Sequence, residues 1–203
     1  MNDVLIVDYG LGNLNAFYRM INGENIKCKI INNKEDFKNC SHLILPGVGA
    51  FDDGMNKLSA QLYFDQLKED VIVKEKPILG VCIAMHLFCK RSEEGSKDGL
   101  GFIDAEVKRI LPTNSVRIPH MGWNEIQTKN NCEVFHGINC KEGFYFLHSY
   151  RVEEMNEDEI ISETYFEKNF ISGFRKNNIF GFQFHPEKSH QNGAILLKNF
   201  SKL

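Results

Sequence analysis

Short, wholly apolar runs alternate with amphipathic stretches through the first half of the chain. Val4-Leu5-Ile6-Val7 has the pattern of a strand buried on both faces. Asn13 to about Gly23 follows with Leu14, Phe17 and Ile21 at helical spacing, and Gly23 as its stop. Cys28 to Ile31 predicts a second strand, and Leu43-Ile44-Leu45 a third that ends at Pro46-Gly47. Asp52 to Lys74 predicts one long helix with Met55, Leu58, Leu62 and Leu67 on its apolar face. Ile78-Leu79-Gly80-Val81 predicts a fourth strand, with a helix over Ile83 to Lys90 straight after it. Repeated strand-helix-strand units with buried strands imply a parallel sheet covered by helices on both faces.

The pattern changes in the second half. Short strands separated by polar turns are predicted over Glu106–Ile110, Asn124–Gln127, Phe144–His148, Ile160–Thr164, Ile171–Arg175 and Ile179–Phe184. Gly193 to about Phe200 predicts a closing helix. The later strands are expected to add antiparallel pairs to the sheet. With no repeat, low-complexity tract or linker, residues 1–203 read as a single α/β domain.

Composition narrows the function classes. The chain has 203 residues, 42% hydrophobic and 25% charged, with a net charge of -3. There is no basic run, so nucleic acid is not an expected partner. No apolar run approaches the roughly 20 residues of a membrane span, and the N-terminus lacks the pattern of a signal peptide. A cytoplasmic location is expected. The six cysteines form no C-x-x-C pair, so neither a metal nor a cofactor is expected, and most of them should be small buried apolar residues.

Three local features carry chemistry. In Gly80-Val81-Cys82-Ile83 a buried strand ends, a cysteine follows and a helix begins at once, the elbow that exposes a nucleophile at the rim of a sheet. A helix N-terminus there would favour thiolate. Alone, Cys82 reads better as a packed core residue, because buried free cysteine is common. In the late strand, Phe180, Phe182 and Phe184 take one face and Gly181, Gln183 and His185 the other. His185-Pro186-Glu187 would point histidine and carboxylate the same way along an extended chain, so that Glu187 fixes the tautomer of a general base. Separately, these are an ordinary strand-end histidine and a surface acid. Leu45-Pro46-Gly47-Val48-Gly49 follows another strand end on the same side of the sheet. Its backbone N–H groups could join that of Ile83 in an oxyanion hole; a plain turn is the simpler reading.

Together these features resemble the class I, triad-type glutamine amidotransferases. Over its whole length the chain is similar to the glutaminase subunits of imidazole glycerol phosphate synthase. Four motifs carry the narrower resemblance: Val7-Asp8-Tyr9-Gly10-Leu11-Gly12-Asn13-Leu14, the Leu45-to-Phe51 loop, Pro119-His120-Met121-Gly122-Trp123-Asn124, and His185-Pro186-Glu187-Lys188-Ser189. The resemblance implies a flavodoxin-like fold with added strands. It implies that Cys82 attacks the side-chain amide of glutamine, with His185 as base and acid and Glu187 orienting it. Val48, Gly49 and Ile83 would form the oxyanion hole, and Gly47, His86, His148, Ser149 and Tyr150 would line the glutamine pocket. Asn13, Met121, Trp123 and Lys188 would face a cyclase subunit in a heterodimer, which receives the ammonia and makes imidazole glycerol phosphate and aminoimidazole carboxamide ribotide in histidine biosynthesis.

The elbow departs from the family pattern Gly-x-Cys-x-Gly-x-Gln at two places, Ala84 and His86. Alanine adds a methyl group beside the nucleophile and restricts the backbone. Histidine replaces an amide with a ring that can titrate near neutral pH. Two alternatives stand beside the leading reading. One is a related glutaminase that feeds a sugar-modifying amidotransferase in surface-polysaccharide synthesis. The other is a catalytically weak regulatory subunit.

Overall fold

The computed structural model describes residues 3–31, 33–113 and 117–203. The strands are β1 (Val4–Val7), β2 (Cys28–Ile31), β3 (His42–Leu45), β4 (Ile78–Val81), β5 (Arg91–Ser92), β6 (Glu106–Arg109), β7 (His120–Asn124), β8 (Gln127–Thr128), β9 (Phe144–His148), β10 (Tyr150–Glu153), β11 (Ile160–Phe166), β12 (Lys168–Lys176) and β13 (Ile179–Phe182). The helices are α1 (Leu14–Gly23), α2 (Phe51–Ser59), α3 (Phe64–Ile72), α4 (Ile83–Leu87) and α5 (His190–Phe200).

Eight strands form the central sheet in the order β2-β1-β3-β4-β13-β12-β11-β8. The run from β2 to β13 is parallel, and β12, β11 and β8 continue it antiparallel. The expected mainly parallel sheet with antiparallel additions is therefore what forms. Strand order reverses between β1 and β3, the switch point at whose carboxyl edge α/β sheets hold ligands. Two smaller sheets, β10-β6-β5 and β7-β9, stand beside it.

The buried strands alternate their side chains between two cores. Leu5, Val7, Leu43, Leu45 and Ile78 meet residues of α2, α3 and α4 on one face. Val4, Ile6, Ile44, Leu79, Val81, Phe180 and Phe182 meet Phe17 and Ile21 of α1 and Leu196, Leu197 and Phe200 of α5 on the other. Asn13 caps α1 through its side chain, which accepts from the Ala16 N–H.

Several elements differ from expectation. The long helix over Asp52–Lys74 is two helices with a turn between Ser59 and Phe64. Leu62, expected on the apolar face, is 87% exposed, while Tyr63 is fully buried and donates its hydroxyl to the Asp8 carbonyl. Burying Tyr63 instead of Leu62 moves the apolar face by one residue, which a continuous helix cannot follow. The strand expected at Asn124–Gln127 is the junction of two, β7 over His120–Asn124, which pairs with β9, and β8 from Gln127, which pairs with β11. β10 was not expected. α4 is a single turn of five residues, so its contribution to thiolate stabilisation is smaller than that of a full helix dipole.

Candidate active site

Cys82 follows the last residue of β4 with φ 54° and ψ -113°, a left-handed backbone that a non-glycine residue adopts at a cost of about 1–3 kcal/mol. The surroundings hold it there. Its N–H donates to the Phe182 carbonyl at 2.8 Å, and its own carbonyl accepts from His86 N–H at 3.3 Å. Gly80 and Gly47 make the elbow possible. A Cβ on Gly80 would lie 2.4 Å from the Phe88 ring, and one on Gly47 would lie 2.4 Å from Ile83 and 2.6 Å from the Ala84 nitrogen. Ala84 sits in α4 at negative φ and is fully buried in the core. Its backbone makes no demand for glycine, and its methyl group has a packed place.

His185 reaches the same edge from the chain after β13. Its backbone is pinned: its N–H donates to the Tyr145 carbonyl at 2.8 Å, and its carbonyl accepts from the Ser189 hydroxyl at 2.6 Å. The His185 Nδ1 and Glu187 Oε1 atoms lie 2.8 Å apart, both side chains almost wholly buried. The pairing is the expected one, but not along an extended strand. Pro186–Lys188 is a turn of 3-10 helix, and Glu187 reaches back to the ring through it. Nε2 has no fully formed hydrogen bond within the protein and interacts with the Cys82 sulfur. Burial pulls the imidazole pKa down. Hydrogen bonding and charge from Cys82 and Glu187 outweigh it and push the pKa up to about 9. A raised pKa describes an imidazolium poised beside a sulfur, a proton donor for a leaving group.

Cys82 and His185 share the wall of a cavity of about 260 Å³. The expected residues Val48, Gly49, Ile83, His86, His148, Ser149 and Tyr150 also line it. Gly49 has φ +134°, a conformation that favours glycine. Gly47 does not line the cavity. It is buried behind the loop, where its missing side chain lets Ile83 approach. His148 shows the cavity only part of its ring. Its Nδ1 lies 2.8 Å from the Tyr150 carbonyl and its Nε2 2.9 Å from His120 Nδ1, so both nitrogens are used. His86 is buried, with Nε2 2.8 Å from Gln183 Oε1. Burial lowers its pKa to about 4, so the ring is neutral above that range, contrary to the expectation that it titrates near neutral pH.

Two residues of the site had no assigned role. Glu94 lines the cavity and accepts from the Phe51 N–H at 3.1 Å; burial raises its pKa. In the polar run Ser92-Glu93-Glu94 it looks like a surface acid, and no local signal separates it. Gln183 points its Nε2 at the Cys82 sulfur, 3.9 Å away. Its place on the His185 face of the strand was the available signal.

The expected partner-facing residues are all exposed. Met121 is 65% and Trp123 47% exposed on the outer face of β7. Trp123 stacks on the His190 ring, and the Lys188 ammonium lies 5.4 Å from the centre of the Tyr145 ring. Asn13 is exposed at the start of α1, a helix packed against the turn that carries Lys188.

An elbow cysteine facing a buried histidine–carboxylate pair, at the carboxyl edge of a parallel sheet, defines a nucleophilic hydrolase or transferase of the cysteine type. The family model for class-I glutamine amidotransferases matches residues 5–203, and the chain belongs to that family. Within it, similar relatives include subunits of imidazole glycerol phosphate synthase. The imidazole glycerol phosphate synthase subunit HisH 2 of Pseudomonas aeruginosa is 40% identical over 98% of this chain and 99% of its own length. The HisH subunit of Leptospira interrogans is 41% identical over 98% of each chain. HisH 1 of Campylobacter jejuni is 40% identical over 98% of this chain and 100% of its own. Solved structures agree at the level of fold. PurLQS from Thermotoga maritima matches with a TM-score of 0.74 at 16% identity, covering 99% of this chain and 97% of that one. A glutamine amidotransferase from the same organism matches with a TM-score of 0.64 at 18% identity, covering 99% and 83%.

Proposed function

We propose that this chain, as the glutaminase subunit of an imidazole glycerol phosphate synthase, releases ammonia from glutamine through Cys82, His185 and Glu187. The supporting observation is the buried 2.8 Å contact between His185 and Glu187 beside a cysteine held at positive φ on the cavity wall. The Cys82 thiolate adds to the side-chain amide carbon. The negative oxygen that results is met by N–H groups of Ile83 and of the Val48-Gly49 turn. His185, protonated and held by Glu187, gives its Nε2 proton to the departing nitrogen, and ammonia leaves a thioester on Cys82. His185 then takes a proton from water, which attacks the thioester and releases glutamate. The Glu94 carboxylate supplies the charge that the α-ammonium group of glutamine requires.

Ammonia then passes to a synthase partner docked on the face formed by Met121, Trp123, Lys188 and Asn13. The cytoplasm is the proposed compartment. Among the described residues no helix is long and apolar enough to cross a membrane. The test is glutamate release from glutamine by the purified chain, with and without a co-expressed cyclase subunit. The reading expects low turnover alone and strong stimulation in the complex. Turnover by the lone chain equal to that of the complex contradicts the partner assignment.

A further inference from the structure

Gln183 is fully buried between two groups of the site. Its Oε1 lies 2.8 Å from His86 Nε2, and its Nε2 lies 3.9 Å from the Cys82 sulfur. An amide oxygen only accepts, so the first contact requires His86 to carry its proton on Nε2. With the proton there, the amide presents its N–H to the sulfur. Turned over, the amide would set its oxygen against the sulfur, which is repulsive once the thiol has lost its proton. Beside His185, the sulfur also meets the Leu147 carbonyl at 3.7 Å, which accepts from the thiol and repels the thiolate in the same way. Gln183 therefore contributes a donor whose interaction strengthens as charge develops on sulfur.

We propose that Gln183 stabilises the Cys82 thiolate through its amide N–H, and that His86, one helical turn beyond Cys82, is a positioning residue that aims this amide. The inference rests on the reading of Cys82 as nucleophile. It gives His86 a role at the sulfur rather than at the substrate and explains how a histidine serves at this position. A neutral imidazole with Nε2–H presents the single donor that the Gln183 oxygen needs. The other titratable groups around the sulfur are His185, His148, Glu94 and Tyr9. Burial keeps His148 and Tyr9 uncharged across the neutral range, so a change in thiol reactivity there reports on Cys82, His185 and Glu94, and only the first two touch each other directly.

The experiment follows alkylation of Cys82 by iodoacetamide against pH, located by peptide mass, together with kcat and KM for glutamine. The variants are Gln183→Met, His86→Phe, His86→Gln and the double variant Gln183→Met with His86→Phe. Gln183→Met should move the alkylation profile about one pH unit higher and lower kcat roughly tenfold, with KM little changed. His86→Phe should reproduce part of this defect, and His86→Gln should recover from it, because glutamine can again donate to Gln183. In the double variant both polar partners are replaced by apolar groups of similar size, so folding stability should recover from that of Gln183→Met. The alkylation profile should stay displaced. A double variant that regains both stability and the wild-type profile, or a Gln183→Met profile that overlies the wild type, overturns the proposal. Cys82→Ala is assayed alongside. Glutaminase activity in that variant overturns the nucleophile assignment itself, whereas an inactive Cys82→Ala with unmoved Gln183 profiles overturns only the role of Gln183.

Discussion

At residue 82 the backbone is held in a conformation that its side chain disfavours, and the chain spends two glycines, Gly47 and Gly80, on holding it there. The strain is local and the sulfur is what it presents. Cys82→Ala should abolish glutamate release while circular dichroism and the melting temperature stay close to wild type. Cys89 is the internal control. It is fully buried, and burial pushes its thiol pKa far up, so it is packing material. Cys89→Ala should keep its activity and lose roughly 1 kcal/mol of stability, read from urea denaturation. Glu187→Gln removes a charge that helps to lift His185 to about 9. The imidazolium should then lose its proton at lower pH, which NMR titration of labelled histidine measures directly. A His185 titration unchanged by that substitution would show that Glu187 does not act on the ring.

At the scale of elements, the site depends on loops being pressed together. Pro46, at the carboxyl end of β3, accepts a hydrogen bond from the buried Tyr9 hydroxyl at 2.7 Å, which ties the β1 and β3 loops to each other. Gly47 then packs directly on the elbow. Gly47→Ala should force the loop away from Ile83 and lower kcat by about a hundredfold or more, the usual scale for loss of an oxyanion donor. A smaller effect on KM is expected, because Gly47 does not face the cavity. This geometry also explains what the sequence could reveal. β1, β3 and β4 were legible because each is a short apolar run that the sheet buries. The elbow was legible because Gly80, Cys82 and the following apolar residues sit where one strand meets one helix. The break between α2 and α3 was not, because Leu62 and Tyr63 compete for one buried position and only the tertiary contact of Tyr63 with Asp8 decides between them. β10 was hidden because it is selected by pairing with β6, far away in sequence. Glu94 and the Gln183 contacts are likewise products of the assembled loops. The turn at Pro186–Lys188 was misread as extended chain even though its histidine–carboxylate pair was found.

At the scale of the whole molecule, four buried histidines and His185 act in opposite directions on stability. His86 and His120 have pKa values lowered to about 4 by burial, and burial also lowers those of His42 and His148. The unfolded chain binds protons at these positions below about pH 6.5, where the folded chain does not. Their contribution is present above that pH and is lost as pH falls toward about 4. His185, with its pKa raised, contributes stability below about 6.5 that is lost as pH rises through about 9. Urea midpoints should therefore fall between pH 6.5 and 4.5, and a flat profile there would contradict the buried neutral histidines. The outer face of β7 makes a separate prediction. Trp123→Ala should weaken binding of the proposed cyclase partner by about 2 kcal/mol, measured by calorimetry, without changing alkylation of Cys82. The central claim, that Cys82 is the nucleophile toward glutamine, is tested most directly by covalent capture with a diazoketone analogue of glutamine, followed by peptide mass mapping. The account predicts one adduct, on Cys82, slowed by added glutamine and absent from Cys82→Ala. An adduct on any of the other five cysteines instead, or labelling of Cys82 that glutamine does not slow, would contradict it.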